Sequence, residues 1–417
     1  MQKVIDLLHP ALVSTLRLRL RLSARRLPSV GGFSACQPGL AQAEMLKCGK
    51  RPRGRVLTRR LQGAVLSSLV CKELSWGRCR EPAGPSELVK GQRIVGIRTA
   101  LTEIFGLEYP IVSAPMGSVA GGRLAAAVSN AGALGLVGGG YGDSEWLRSE
   151  LSKARSETRR PWGVGLITWH ATQEILDLAL SYEPHAFMLS FGDPGPFVPA
   201  IKEAGCTLIC QVQDVDDGRA AKAAGADIIV AQGTEAGGHG ADRSTLPLVP
   251  AVVDAVAPTP VLAAGGIADG RGLAAALMLG AQGALIGTRF YAATEALGHE
   301  SAKERILVAK GRDTQRTRVF DIIRQHAWPQ PFTGRAIRND FMERWEGREN
   351  DLSAALDEEI PGFRAAVRDG DFDRAMIWAG EGVDVISDVA PAGELVSRIG
   401  AETEACLQHA SELLGKS

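Results

Sequence analysis

The stretch VAQGTEAGGHGAD, Val230–Asp242, carries an apolar run into a glycine-punctuated turn with one imidazole, His239. Glycine lets a backbone take positive φ and approach a neighbour closely. Histidine, with an unperturbed pKa of about 6.5, is a base suited to proton transfer at neutral pH. Further along, AAGGIADGRG (Ala263–Gly272) and LIGTRF (Leu285–Phe290) are two more turns of small residues. Bare turns of this kind present backbone N–H groups, which hold an anion well beside a helix start. Gly265, Gly266, Gly287 and Thr288 are the expected cup for a phosphate, with the Thr288 hydroxyl as a further donor.

These residues need a scaffold that brings them together. Apolar runs start at Ile111, Leu134, Gly163, Ala186, Thr207, Ile228, Val261 and Ala284, 21 to 33 residues apart. The runs are continuous rather than alternating, which fits strands buried on both faces. Alanine-rich helical patterns such as DDGRAAKAAG lie between them and end in glycine. Eight such units predict a (β/α)8 TIM barrel, with a doubly wound open sheet as the alternative. In a barrel, chemistry sits at the C-terminal strand ends, and phosphates bind after strands seven and eight. The barrel places His239 in a loop over the mouth and the two glycine turns where a phosphate belongs.

APMG, Ala114–Gly117, ends the first run. Pro115 lacks an N–H, Gly117 lacks a side chain, and Met116 is soft and polarizable. Such an edge suits the face of a planar ring. Asn130 and the glycines of GLVGGGYG are expected nearby, and Gln211 and Gln232 end runs five and six with amides that can donate or accept. A flat heterocycle with a phosphate tail fits this set. FMN fits better than a dinucleotide, because no strand–GxGxxG–helix unit with a distal acid is present.

The set APMG, SNAGALG, GVGLITW, LSFGDP, AQGTEAGGHG, AAGGIADGRG and LIGTRF resembles the nitronate monooxygenases, formerly called 2-nitropropane dioxygenases, from about Arg98 to about Trp345. The resemblance implies an FMN-dependent barrel with an added helical region. Its implied activity is oxidation of alkyl nitronates by O2 to carbonyl compounds and nitrite. It implies FMN contacts at Asn130, Gln232, Gly237, Gly266 and the Leu285–Ile286–Gly287–Thr288 turn, with Met116 and Gln211 as further neighbours. It puts the active-site histidine at His239. Trp169, His170 and Phe191 are expected pocket walls. Two other classes stay open: an NAD(P)H:quinone reductase or flavin-dependent enoyl-acyl-carrier-protein reductase of the same superfamily, and a non-catalytic FMN-binding protein.

The rest of the chain is read by composition. Net charge is zero, which gives no argument for a nucleic-acid partner, and no long apolar run suggests a membrane span. The seven cysteines are scattered, and no metal site is expected. A small-molecule nitronate and O2 are the expected partners, and a homo-oligomer stays open. Residues 1–60 hold 13 Lys and Arg against two acids, Asp6 and Glu44. Residues 1–97 therefore read as a disordered extension or a transit-like leader. The expected compartment is cytoplasmic, or mitochondrial if that leader is a transit peptide. Residues 98–320 are assigned to the barrel and 321–417 to a helical cap, in which Phe363, Met376 and Trp378 are expected to pack as core. Deleting residues 1 to about 95 should leave an active yellow protein, because the segment has no periodic apolar face to dock. Loss of folding on truncation, followed by circular dichroism, would show otherwise.

Overall fold

The computed structural model describes residues 96–414, which fall within one compact unit, Leu88–Ser417. The leader expected over residues 1–97 lies outside them but for its last two positions.

Eight parallel strands close into a barrel in the order β1-β2-β3-β4-β5-β6-β8-β9. They are β1 (Ile111–Ser113), β2 (Leu134–Gly138), β3 (Trp162–Ile167), β4 (Ala186–Ser190), β5 (Thr207–Val212), β6 (Ile228–Gln232), β8 (Val261–Ala264) and β9 (Ala284–Ile286). Closure joins β9 to β1, with Leu285 opposite Val112. Every strand position is buried except Ile167, Thr207 and Gln211, as the continuous apolar runs require. Val112, Leu134, Leu136, Met188, Ile209, Val230, Leu262 and Leu285 fill the inside, and a second layer packs the strands against the helices. The open-sheet alternative is thereby excluded. Among the described residues no helix is long and apolar enough to cross a membrane.

The βα turns are set by caps. Side chains of Asp143, Thr172, Asp214 and Asp269 each accept a backbone N–H at the start of the helix that follows. Each such cap contributes about 1 kcal/mol. Gly225, at φ 103°, closes the helix Val215–Ala224 in a conformation that other residues rarely take.

A three-stranded antiparallel sheet lies outside the barrel, in the order β10-β11-β7. β7 (Gly238–Gly240) comes from the turn after β6, while β10 (Thr314–Thr317) and β11 (Thr333–Ile337) come from the C-terminal part. His239 sits opposite Gly334 in this sheet, so it stands on a short strand and not in the free loop expected. The final helix, Ala392–Leu413, lies against the barrel helix Gly270–Met278 and not across the mouth. A Cβ on Gly270 would stand 2.3 Å from the Glu402 Cβ, which shows how closely the two helices approach. What reaches the mouth from the C-terminal part is β10, β11, the residues between them and the stretch 378–382.

Candidate active site

The C-terminal strand ends open into one cavity of about 250 Å³. Met116, Gln211, Gln232, Gly237, Gly265, Gly266, Leu285, Gly287, Thr288 and His239 all line it. Two expected residues do not. Asn130 ends the helix that feeds the start of β2, so it lies on the opposite rim, exposed. There its amide donates to the Glu157 carbonyl at 3.0 Å and its carbonyl accepts from the Thr158 hydroxyl at 2.7 Å. Ile286 alternates with Leu285 and points outward, packing with Leu124, Leu273 and Phe290 between barrel and helices.

His239 is buried, with 8% of its surface exposed. Its backbone carbonyl accepts from Gln232 Nε2 at 3.0 Å. Gln232 Oε1 in turn accepts from Gln211 and Gln213 at 3.1 and 2.9 Å. One N–H of the Gln232 amide thus holds the histidine backbone, which leaves the other toward the cavity that Gln232 lines. The imidazole Nε2 lies 2.8 Å from Asp321 Oδ1, and Asp321 is buried too. A carboxylate only accepts, so Nε2 carries the proton and Nδ1 presents the lone pair. Among the described residues nothing hydrogen-bonds Nδ1. The ring stacks on Trp328 with centroids 3.5 Å apart and planes 5° from parallel. Trp328 Nε1 donates to the Tyr141 hydroxyl at 2.9 Å. Burial pushes the His239 pKa below its ordinary value; Asp321 opposes this, and Arg324 and Arg316 add to it.

The glycine turns lie beside this pair. Gly265 and Gly266 take φ of 109° and 71°. A Cβ on Gly265 would stand 2.8 Å from Thr245 Oγ1 and 3.0 Å from the Gly233 carbonyl. The Gly265 N–H faces the Leu285 carbonyl across the barrel register, whereas the backbone N–H groups of Gly266, Gly287 and Thr288 have no acceptor among the described residues. The Thr288 hydroxyl accepts the Gly380 N–H at 3.0 Å and keeps its own proton to donate. Gly380 and Gly382 also line the cavity, and Glu381 N donates to the Glu235 carbonyl at 2.9 Å. This explains Gly237, where a Cβ would stand 2.6 Å from Ala379 C and Gly380 N. Its bareness makes room for the chain's own C-terminal stretch. Gly238 differs: it has φ 73°, and open space where its Cβ would be.

Asp321, Trp328, Arg324, Tyr141 and Trp378 are site residues that sequence reasoning misses. Trp378, expected in the core, lines the cavity with its ring 5.1 Å from that of His239. Phe363 and Met376 do pack in the core cluster. Of the expected walls, Phe191 lines the cavity, whereas Trp169 and exposed His170 stand edge-on to Tyr141 at 6.4 and 5.5 Å. Asp321, Arg324 and Trp328 share one segment, DTQRTRVFDIIRQHAWPQPF, which is no part of a barrel strand, while Tyr141 and Trp378 come from elsewhere in the chain.

The family model described as nitronate monooxygenase matches residues 98–174 and 167–402, taking in the barrel and nearly all of the C-terminal part. The chain belongs to the nitronate monooxygenase family. It is 36% identical over 340 residues to a nitronate monooxygenase of Neurospora crassa, covering 70% of this chain and 89% of that protein. Among solved structures it is similar to FabK from Thermotoga maritima, at 32% identity and TM-score 0.68, covering 76% of this chain and 99% of the other. It is also similar to a nitroalkane oxidase from Streptomyces ansochromogenes, at 28% identity and TM-score 0.64, covering 75% and 100%. The protein is accordingly an oxidoreductase of the nitronate monooxygenase family.

A pH dependence follows from the His239 environment. The depressed pKa keeps the imidazole neutral through pH 7, so a rate that needs the free base should fall only below about pH 6.5. Asp321→Asn removes the partner that raises this pKa, so the acid limb should move to lower pH. The rate should drop as well, because the ring loses the group that fixes its tautomer. A pH–rate profile unchanged by the substitution would remove Asp321 from this role. Folding stability responds in the same sense. An unfolded chain binds the proton that the buried ring refuses, so His239 costs stability as pH falls through the ordinary imidazole range.

Proposed function

We propose that this protein is an FMN-dependent nitronate monooxygenase, oxidising alkyl nitronates with O2 to carbonyl compounds and nitrite. The observation that carries the reading is the meeting, in one cavity, of His239, held by Asp321 behind it, and three unspent backbone amides. Those amides, at Gly266, Gly287 and Thr288, with bare Gly265 beside them, suit the phosphate of FMN, and the Ala114–Gly117 edge together with Gln211 suits its ring. When bound, FMN supplies the redox chemistry between substrate and O2.

The chain's own residues do the rest. Asp321 holds Nε2–H, which leaves Nδ1 free to take the α-proton of a neutral nitroalkane. Trp328 fixes the plane of the imidazole by stacking. Tyr141, Phe191 and Trp378 exclude water and keep the site apolar around the anion. Gln232 locks the backbone that carries the base. A nitronate substrate and O2 are the partners this reading requires.

The likeness to FabK supports a second reading, a reductase that draws electrons from a nicotinamide. One cuvette separates the two. The purified protein should show an oxidised-flavin spectrum. Its flavin should be bleached by a nitronate without air and restored by O2. Rapid bleaching by NADH or NADPH would favour the reductase, and a colourless protein indifferent to added FMN would sink both.

A further inference from the structure

We infer that Arg324 binds the substrate's ionised nitro group, its guanidinium receiving the two nitronate oxygens in the cavity mouth, and that it thereby selects the anion over the neutral nitroalkane. This rests on the nitronate reading above.

Arg324 directly follows the short helix Val319–Ile323, three residues after Asp321. That spacing puts the two side chains on one face, so the element that orients the base also carries a cation to the cavity. Arg324 lines the cavity half-buried, its guanidinium carbon 5.1 Å from the centre of the Tyr141 ring. Its charge is felt by its neighbours. Burial is the main cause that holds the His326 pKa at about 4 and lowers that of His239, and the Arg324 charge adds to both.

The surroundings leave this charge without a direct ion pair. The buried arginines Arg289 and Arg335 pair with Asp388 at 2.8 Å and Glu381 at 2.9 Å. Arg324 pairs with no acid among the described residues. Asp321, the acid nearest in sequence, gives Oδ1 to His239, and its Oδ2 is buried without a partner. A partly desolvated cation in an aromatic cavity is costly unless an anion joins it. A planar guanidinium matches two coplanar oxygens, as it does a carboxylate. A nitronate is such an anion, with its charge on the oxygens.

The plain alternative is that Arg324 only stacks on Tyr141. Arg324→Gln and Arg324→Lys separate the two roles, with nitrate as the probe because it is a planar monoanion with the same oxygen arrangement. Nitrate should quench the tryptophan fluorescence of the parent protein saturably and compete with the nitronate substrate. Arg324→Gln should weaken nitrate binding roughly 10- to 100-fold, as expected for loss of charged hydrogen bonds. It should raise KM for preformed nitronate by a similar factor, and raise the KM for neutral nitroalkane, which arrives uncharged, by less. Arg324→Lys should recover part of the loss. Nitrate that fails to bind the parent, or that binds Arg324→Gln as tightly, overturns the inference. Arginine-dependent nitrate binding in a protein that does not turn over nitronates would keep the anion site and discard the oxidation.

Discussion

His239→Asn should keep bound FMN and lose roughly 10²- to 10⁴-fold of its rate with neutral nitroalkanes, the range typical of removing a general base. Retention of the cofactor is expected because the glycine cup lies on β8 and β9, on other loops than the imidazole. Asparagine is shorter, and its amide stands at the Nδ1 side of the ring rather than at the Nε2 that bonds Asp321, so this contact is lost together with the base. The backbone carbonyl of residue 239 still accepts from Gln232, so the short strand should hold. With preformed nitronate the loss should be much smaller, since no proton has to be removed. Steady-state kinetics on the two substrate forms at one pH decide the matter. Equal losses would move His239 from base to anion holder or flavin neighbour.

Gly266→Asp should purify without flavin. Gly266 has φ 71°, a left-handed conformation that aspartate takes at a cost of about 1 kcal/mol. Its Cβ would meet Glu235 at 3.4 Å, an ordinary contact, so the fold should survive. The new carboxylate would stand at the expected phosphate. Two like charges about 4 Å apart repel by about 4 kcal/mol at an effective dielectric near 20, which is roughly 10³-fold in affinity. Gly266→Ala carries the same backbone strain without the charge and should stay yellow. Flavin content and a thermal melt on both variants give the test. An aspartate variant with full flavin occupancy would mean that the phosphate binds elsewhere.

The barrel was legible because its signal is local and repeated. Each strand is a short apolar run buried on both faces, and four of the helix starts are marked by a capping Asp or Thr. The glycine turns were legible for the same reason, since a strand end followed by small residues can be read without a partner. Asn130 was misplaced because nearness in sequence to a strand does not say which end of it the residue serves; it precedes β2 and so stands at the far rim. Ile286 failed on period-two alternation within a strand of three residues. The Asp321 pairing had no local signal at all, because 82 residues separate it from His239 and only the β7–β11 pairing brings the segments together. Trp378 read as core because an aromatic in a helical context usually is. Gln232 was placed in the right cavity, where its own chain engages part of its amide.

The β7–β11 pairing also orders events in time. A ribosome delivers His239, then the turns at Gly265 and Gly287, before it delivers Asp321, Trp328, Gly334 and Gly380. The last barrel strand ends at Ile286, so more than a quarter of the described residues emerge after the barrel's strands are complete. Those late residues supply the imidazole's tautomer, its stacking partner and the strand opposite it. A nascent chain, or one clipped after β9, carries the glycine turns without an oriented base.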